Sequence, residues 1–197
     1  LIIEDPSLLK CLKNLAYDQF YCEHIYVFSL IALKKVLKEF NLEIFDVENT
    51  STHGGSNRYY IKKNSNSAYK INNRVNIEIK NELKFGLNKF STFQKFSKKV
   101  EKSKIELLRI FSSLNNKKLK IVGYGATAKS CTVLNYCGIG KKDIKYFYDT
   151  TSYKVNKYLP GSNILIKKYK KLYQNEIDFV FLSAWNFKKE IFKKEKS

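Results

Sequence analysis

The segment Lys118-Leu119-Lys120-Ile121-Val122-Gly123-Tyr124-Gly125-Ala126-Thr127-Ala128-Lys129 decides the fold of its half of the chain. Its first residues predict a strand, and Gly-x-Gly-x-x-Ala predicts a tight turn entering a helix. Two glycines permit the turn and bare backbone N–H groups, and the helix N-terminus favours an anion. Downstream, residues 145–148 predict a second strand ending at Asp149, where a Rossmann unit keeps a carboxylate for a ribose. Residues 163–166 and 178–182 predict two more strands, with helices near 167–174 and 186–194. These elements make a small parallel α/β domain over residues 117–197. A structural turn that holds no ligand would read the same way.

Upstream, Phe90, Phe93, Val100, Leu107, Leu108 and Phe111 recur at helical spacing. They predict a long bridging helix over about residues 87–114, in a helical segment of residues 73–116, with Asn115 and Asn116 as its cap. Residues 1–72 form the first domain. There the stretch before Pro6 predicts the end of a buried strand, residues 28–40 an amphipathic helix capped by Ser29, and residues 42–47 and 58–62 two strands.

Two clusters in this first domain carry chemistry. Asp18-Gln19-Phe20-Tyr21-Cys22-Glu23-His24 gathers a phenol, a carboxylate and one of only two histidines. On a helix, Tyr21 and His24 would share a face, and Glu23 would point elsewhere to hold a donor that sets the site. Imidazole is the usual base near neutral pH. The alternative is a structural histidine beside a core aromatic. Thr52-His53-Gly54-Gly55-Ser56 holds the second histidine in a glycine loop where backbone can approach a ligand closely. Arg58 follows, one of three arginines, with a fork suited to a phosphate or carboxylate.

Hydrophobic residues make up 44% of the 197, enough for a real core. A net charge of +19 would ordinarily suggest nucleic acid. Here the basic residues are nearly all lysines, scattered in pairs over several elements, which reads as solvated faces and codon bias. Four cysteines without Cys-x-x-Cys spacing predict no metal site and a reduced, cytoplasmic compartment. No membrane span is expected. With Leu1 first and no methionine, the chain reads as the C-terminal part of a longer protein.

Tyr21-x-Glu23-His24 followed by His53-Gly54-Gly55-Ser56 resembles the catalytic region of S-adenosylmethionine-dependent sugar C-methyltransferases. The resemblance continues through Gly123-Tyr124-Gly125-Ala126-x-Ala128-Lys129, Leu134-Asn135-Tyr136-Cys137-Gly138-Ile139, Asp149-x-x-x-Tyr153-Lys154, Tyr158-Leu159-Pro160-Gly161 and Trp185-Asn186. It covers about residues 1–192. It implies that residues 1–72 end a class I methyltransferase sheet whose last strand runs antiparallel, and that residues 117–197 form a Rossmann-like domain. It also implies a methylated carbon beside the ketone of a nucleotide-linked keto-sugar lying between the two domains. His24 would then remove the proton, with Tyr21 and Glu23 orienting the base or supporting the enolate. His53, Arg58, Gly123, Gly125, Lys129, Asn135, Asp149, Lys154 and Tyr158 would bind substrate. S-adenosylmethionine would be held mostly by sequence outside this chain, since the Gly123 turn follows the catalytic septet instead of preceding it. The alternatives are a nucleotide-sugar-binding module without catalysis and a nicotinamide-dependent oxidoreductase fragment using Asp149.

Overall fold

The computed structural model describes residues 1–172 and 177–196. The chain forms two compact units, Leu1–Val100 and Glu101–Ser197. In the first, β1 (Ile2–Pro6), β2 (Leu42–Thr50) and β3 (Ser56–Lys63) form a sheet of order β1-β3-β2. β3 runs antiparallel to both neighbours, so β1 and β2 point the same way on either side of it. This is the arrangement expected of the end of a methyltransferase sheet. β1 is not the buried strand that was expected, since Ile2 and Glu4 are exposed.

Strand alternation explains the core of this unit. Tyr59 and Ile61 of β3 turn one way and are buried with Ile44 and Val47 of β2. Arg58 and Tyr60 turn the other way. Against the apolar face lie α2 (Leu30–Glu39), which contributes Leu30, Leu33 and Leu37, and α3 (Asn73–Phe85), which contributes Val75. Ser29 caps α2 as expected, its hydroxyl accepting the Ala32 N–H at 3.1 Å. Glu82 of α3, fully buried, accepts the Leu30 and Ile31 N–H groups at 2.6 and 2.9 Å. Three of the four orphan amides at this helix start are thereby satisfied. A smaller cluster joins Leu9, Cys11 and Leu12 around α1 (Leu8–Lys13) to Leu87.

The long helix is α4, Phe90–Asn116. Asn115 and Asn116 lie within it instead of capping it, and Asn115 donates to Asp143 at 3.1 Å. The division between the two compact units falls inside α4, at Val100/Glu101. α3 belongs to the first unit because Val75 and Glu82 complete that unit's core and helix cap.

The second unit holds a parallel sheet of order β6-β5-β4-β7, built from β4 (Ile121–Tyr124), β5 (Phe147–Asp149), β6 (Ile166–Lys168) and β7 (Phe179–Leu182). α5 (Ala128–Cys137) follows β4, and α6 (Lys188–Lys196) follows β7. The core gathers Phe111, Leu134, Ile139, Ile144, Phe147 and Ile164. One expected element is corrected. Residues 166–168 of the region read as strand then helix form β6, and residues 169–171 are irregular. The end of that helix, at residues 173–174, lies outside the described residues. Among the described residues no helix is long and apolar enough to cross a membrane.

Gly123 has a packing role. A Cβ there would sit 2.4 Å from the Phe147 ring, whose side chain is fully buried. Gly123→Ala should therefore destabilise the second unit by about 1–3 kcal/mol, as overpacking of a filled core does. Urea unfolding followed by fluorescence of Trp185, the single tryptophan, would measure it. A variant as stable as the parent would contradict the close packing.

Candidate functional site

Each unit contains one group of residues with chemical potential. In the first, the septet is not a helix. A 3-10 turn at Tyr17–Gln19 is followed by a second turn, closed by the His24 N–H on the Tyr21 carbonyl at 2.8 Å. Tyr21 and His24 meet all the same, with ring centroids 4.3 Å apart. The His24 Nδ1 lies 3.1 Å from the Gln19 carbonyl oxygen, which can only accept, so Nδ1 carries the proton. In the neutral ring the lone pair is therefore on Nε2, 3.3 Å from the Tyr21 hydroxyl. Burial, with the nearby Glu23, Asp18 and Cys22, pushes the Tyr21 phenol above its ordinary value, so it remains a donor.

His53 meets His24 edge-on, with centroids 5.4 Å apart. It has φ of +56°, in the left-handed region a side chain rarely adopts, and Gly54 and Gly55 continue at +89° and +131°. Three successive positive φ values explain the paired glycines. Gln19 grips both histidines. Its backbone carbonyl holds His24, and its side-chain amide donates to the His53 carbonyl.

Glu23 is exposed and makes no hydrogen bond or ion pair among the described residues, and the group that meets His24 Nδ1 is the Gln19 carbonyl. Turning the chain at Tyr21–His24 brings phenol and imidazole together but leaves Glu23 outside the pair. Arg58 lies on the sheet face away from Tyr59 and is held by Glu4 at 2.7 Å and Glu48 at 3.9 Å. Its fork is committed to cross-strand carboxylates, and a substrate anion would have to displace them. Gln19 carries no chemical signal in the sequence, since its role is half backbone.

In the second unit, a cleft of about 330 Å³ opens at the C-terminal ends of β4, β5 and β7. The strand order reverses at β4, and such switch points are where open α/β sheets hold ligands. Tyr124, Tyr148 and Tyr169 line it, with Lys154 and Lys194. The Tyr124 and Tyr148 rings each stand edge-on to Tyr169, at 5.7 and 6.5 Å. Burial pushes the Tyr124 phenol up to about 12, helped by Glu195. Burial and then Tyr146 push Tyr148 up to about 12.

The glycine turn departs from its expected use. The Asp149 carboxylate accepts the Ala126 N–H and the Thr151 N–H, both at 2.8 Å. Thr127 and Ser130 cap each other's amides at 3.2 and 2.9 Å. Three of the amides at the turn and helix start are thus held by the chain itself, and Asp149 pins the turn. Lys154 donates to the Ala126 carbonyl at 2.8 Å and lies 3.6 Å from Asp149.

Of the expected substrate residues, Gly125, Asp149 and Lys154 line the cleft. Gly123 packs on Phe147, and Lys129 is buried with its ammonium 5.3 Å from the Trp185 ring centroid. Asn135 donates to the Pro160 carbonyl at 3.1 Å and fixes the turn at Gly161. Tyr158 is exposed and bridges to Leu165. None of these four lines the cleft. Tyr169 was missed because it stands in no motif and reaches the cleft only through the fold. Among the described residues no three His, Cys, Asp or Glu side chains converge as metal ligands.

The fold and these two groups define an α/β protein with a paired-histidine cluster in one unit and a tyrosine-lined cleft at the parallel sheet of the other. The chain belongs to the C-methyltransferase C-terminal domain family, whose sequence model matches residues 51–197. It is also similar to the C-methyltransferase NovU of Streptomyces niveus, at 29% identity over 194 residues. That match takes in 98% of this chain and 46% of NovU, so the chain spans about half the length of this relative.

Proposed function

We propose that the chain is the C-terminal portion of an S-adenosylmethionine-dependent methyltransferase that acts on the carbon beside the ketone of a nucleotide-linked keto-sugar. The observation that carries the reading is the tautomer of His24. With Nδ1–H held by the Gln19 carbonyl, Nε2 presents its lone pair beside a protonated phenol. A base and a donor side by side are what enolate formation needs. Nε2 takes the C–H proton, the electron pair moves to the carbonyl oxygen, and the Tyr21 hydroxyl turns from Nε2 to that oxygen. His53 borders the same site.

S-adenosylmethionine, when bound, supplies the methyl group. The glycine turn of this chain fits it poorly, because Asp149, Ser130 and Thr127 already hold the Ala126, Thr127 and Ser130 amides. We assign its site to parts of the complete protein outside this chain. The reading makes a nucleotide-sugar the partner and places the protein in the cytoplasm, with neither nucleic acid nor membrane as target. Labelled methyl transfer by the full-length protein to a panel of nucleoside diphosphate keto-hexoses tests it, and no transfer to any of them would overturn it.

The tyrosine-lined cleft is our assignment for the nucleotide. Flat aromatic faces suit a base, and Lys154 and Lys194 suit its phosphates. The nicotinamide alternative would ask Asp149, which already accepts two backbone amides, to hold a ribose as well. The 197-residue chain should bind a nucleoside diphosphate more tightly than NADH, and Lys154→Ala should weaken it about tenfold, the worth of one charge-assisted hydrogen bond. Isothermal titration checks both. Tight NADH binding with indifference to nucleoside diphosphates would restore the oxidoreductase.

A further inference from the structure

Asp5 Oδ2, Ser7 Oγ and Gln19 Oε1 are sealed from solvent, and among the described residues none has a hydrogen-bond partner. All three belong to residues around the turn that carries His53. The Gln19 amide donates to the His53 carbonyl, and the Ser7 N–H donates to the Gly55 carbonyl at 3.1 Å. Asp5 pairs with Asn57 and Pro6 with Ser56, so Asp5 stands near the end of β1, beside the start of β3 that the turn feeds. By alternation it lies on the Tyr59 face of the sheet, opposite the Glu4–Arg58 pair.

A sealed, unpaired oxygen costs stability, and a carboxylate oxygen costs the most. Such a group in a folded protein calls for an explanation. The surroundings of Asp5 are the Phe28 N–H and the two histidines, from the septet loop and from the His53 turn. Its own charge acts on the Tyr59 phenol of β3. The half-buried acid thus stands by the turn that carries His53 and feels the charge of both imidazoles of the chain.

We infer that Asp5 is a positioning residue of the histidine site, a half-buried anion with one sealed oxygen that offsets the positive charge arising on the histidine pair when His24 takes its proton. The inference rests on the reading of His24 as the base. In that step a C–H bond breaks, an N–H bond forms at Nε2, and the electron pair goes to the ketone oxygen. The imidazole becomes a cation inside the protein. Asp5 acts through the histidines and does not touch the substrate. An opposite charge close by typically favours a cation by about 10- to 1,000-fold. The same factor sets the rate lost without it.

The substitution Asp5→Asn keeps the shape and removes the charge. Burial pushes the Asp5 carboxyl above its ordinary range, against the smaller pull of the Phe28 N–H and the histidines. For a carboxyl raised in this way, stability falls as pH rises from its unfolded value through its folded one, because the unfolded chain releases the proton first. The amide escapes that cost. At about pH 7, Asp5→Asn should melt at or above the wild-type temperature, with the difference closing as pH falls below the ordinary carboxylate range.

The test joins this melt, on the 197-residue chain, to kcat and KM for labelled methyl transfer by the full-length protein to nucleoside diphosphate keto-hexoses. The inference requires kcat to fall about tenfold or more, with KM nearly unchanged, in a variant at least as stable as the parent. A near-normal kcat overturns it. So does a kcat that falls with the melting temperature, the mark of a structural residue. A wild-type protein that transfers no methyl group would be a failure of the proposed function, seen before any variant is made. In that case a lower melting temperature for Asp5→Asn would still overturn the inference.

Discussion

A full-length enzyme carrying His24→Gln should lose methyl transfer by about 100- to 10,000-fold, the usual cost of removing a general base. Gln keeps a donor and an acceptor of similar reach but no basic nitrogen. In the parent, the Gln19 carbonyl takes the Nδ1 proton and leaves Nε2 to accept one. Nucleotide-sugar binding should remain within several-fold, because the cleft assigned to the nucleotide belongs to the other unit. Tyr21→Phe is the companion variant. It removes the hydroxyl 3.3 Å from Nε2 and leaves the ring contact, so it should slow the reaction less than loss of the base. Initial rates under saturating donor, with binding measured separately, separate the two effects. A His24→Gln enzyme at near wild-type speed would remove the base from the mechanism.

Elements whose signals are local were legible before the structure. Ser29 and the leucines at 30, 33 and 37 announce α2, and the glycine turn announces a parallel sheet with a helix behind β4. The pairing of Tyr21 with His24 also came through, although by a turn and not the helix assumed for it. What stayed hidden depends on contacts distant in sequence. Asp149 sits where a ribose ligand belongs, yet its carboxylate is 2.8 Å from the Ala126 N–H, a fact of two loops meeting. Arg58 has the fork of an anion binder, but strand register sets Glu4 directly across from it. Asp5 and Gln19 gave no signal, because their importance lies in which atoms the fold leaves sealed or turns toward the histidines. β6 straddles the expected strand, which ends at Ile166, and the expected helix, which takes Lys167 and Lys168, because three residues are too few to show a period of two.

Glu82→Ala should be the most destabilising single change in the first unit. The carboxylate lies fully buried in α3 and holds two amides at the start of α2, a helix whose leucines supply much of that unit's core. The partial positive charge of a helix N-terminus favours an anion there. Burial nevertheless pushes the Glu82 carboxyl up, against the pull of the Ile31 and Leu30 N–H groups, so the charge itself is held at a cost. Removal is harmful for what it leaves behind: two N–H groups without an acceptor at a helix start, and a cavity under α2. Two charge-assisted hydrogen bonds lost together cost about 3–6 kcal/mol. Glu82→Gln should lose roughly half as much, because its one carbonyl oxygen can still accept one amide. For a unit of this size each kcal/mol moves the melting temperature by about 4–8 °C, so the alanine variant should melt at least 10 °C lower or fail to fold its first unit. Calorimetry of the 197-residue chain, with amide exchange at Leu30 and Ile31, would show it. An alanine variant within a degree or two of the parent would mean that water or Ser29 can cap α2 without Glu82.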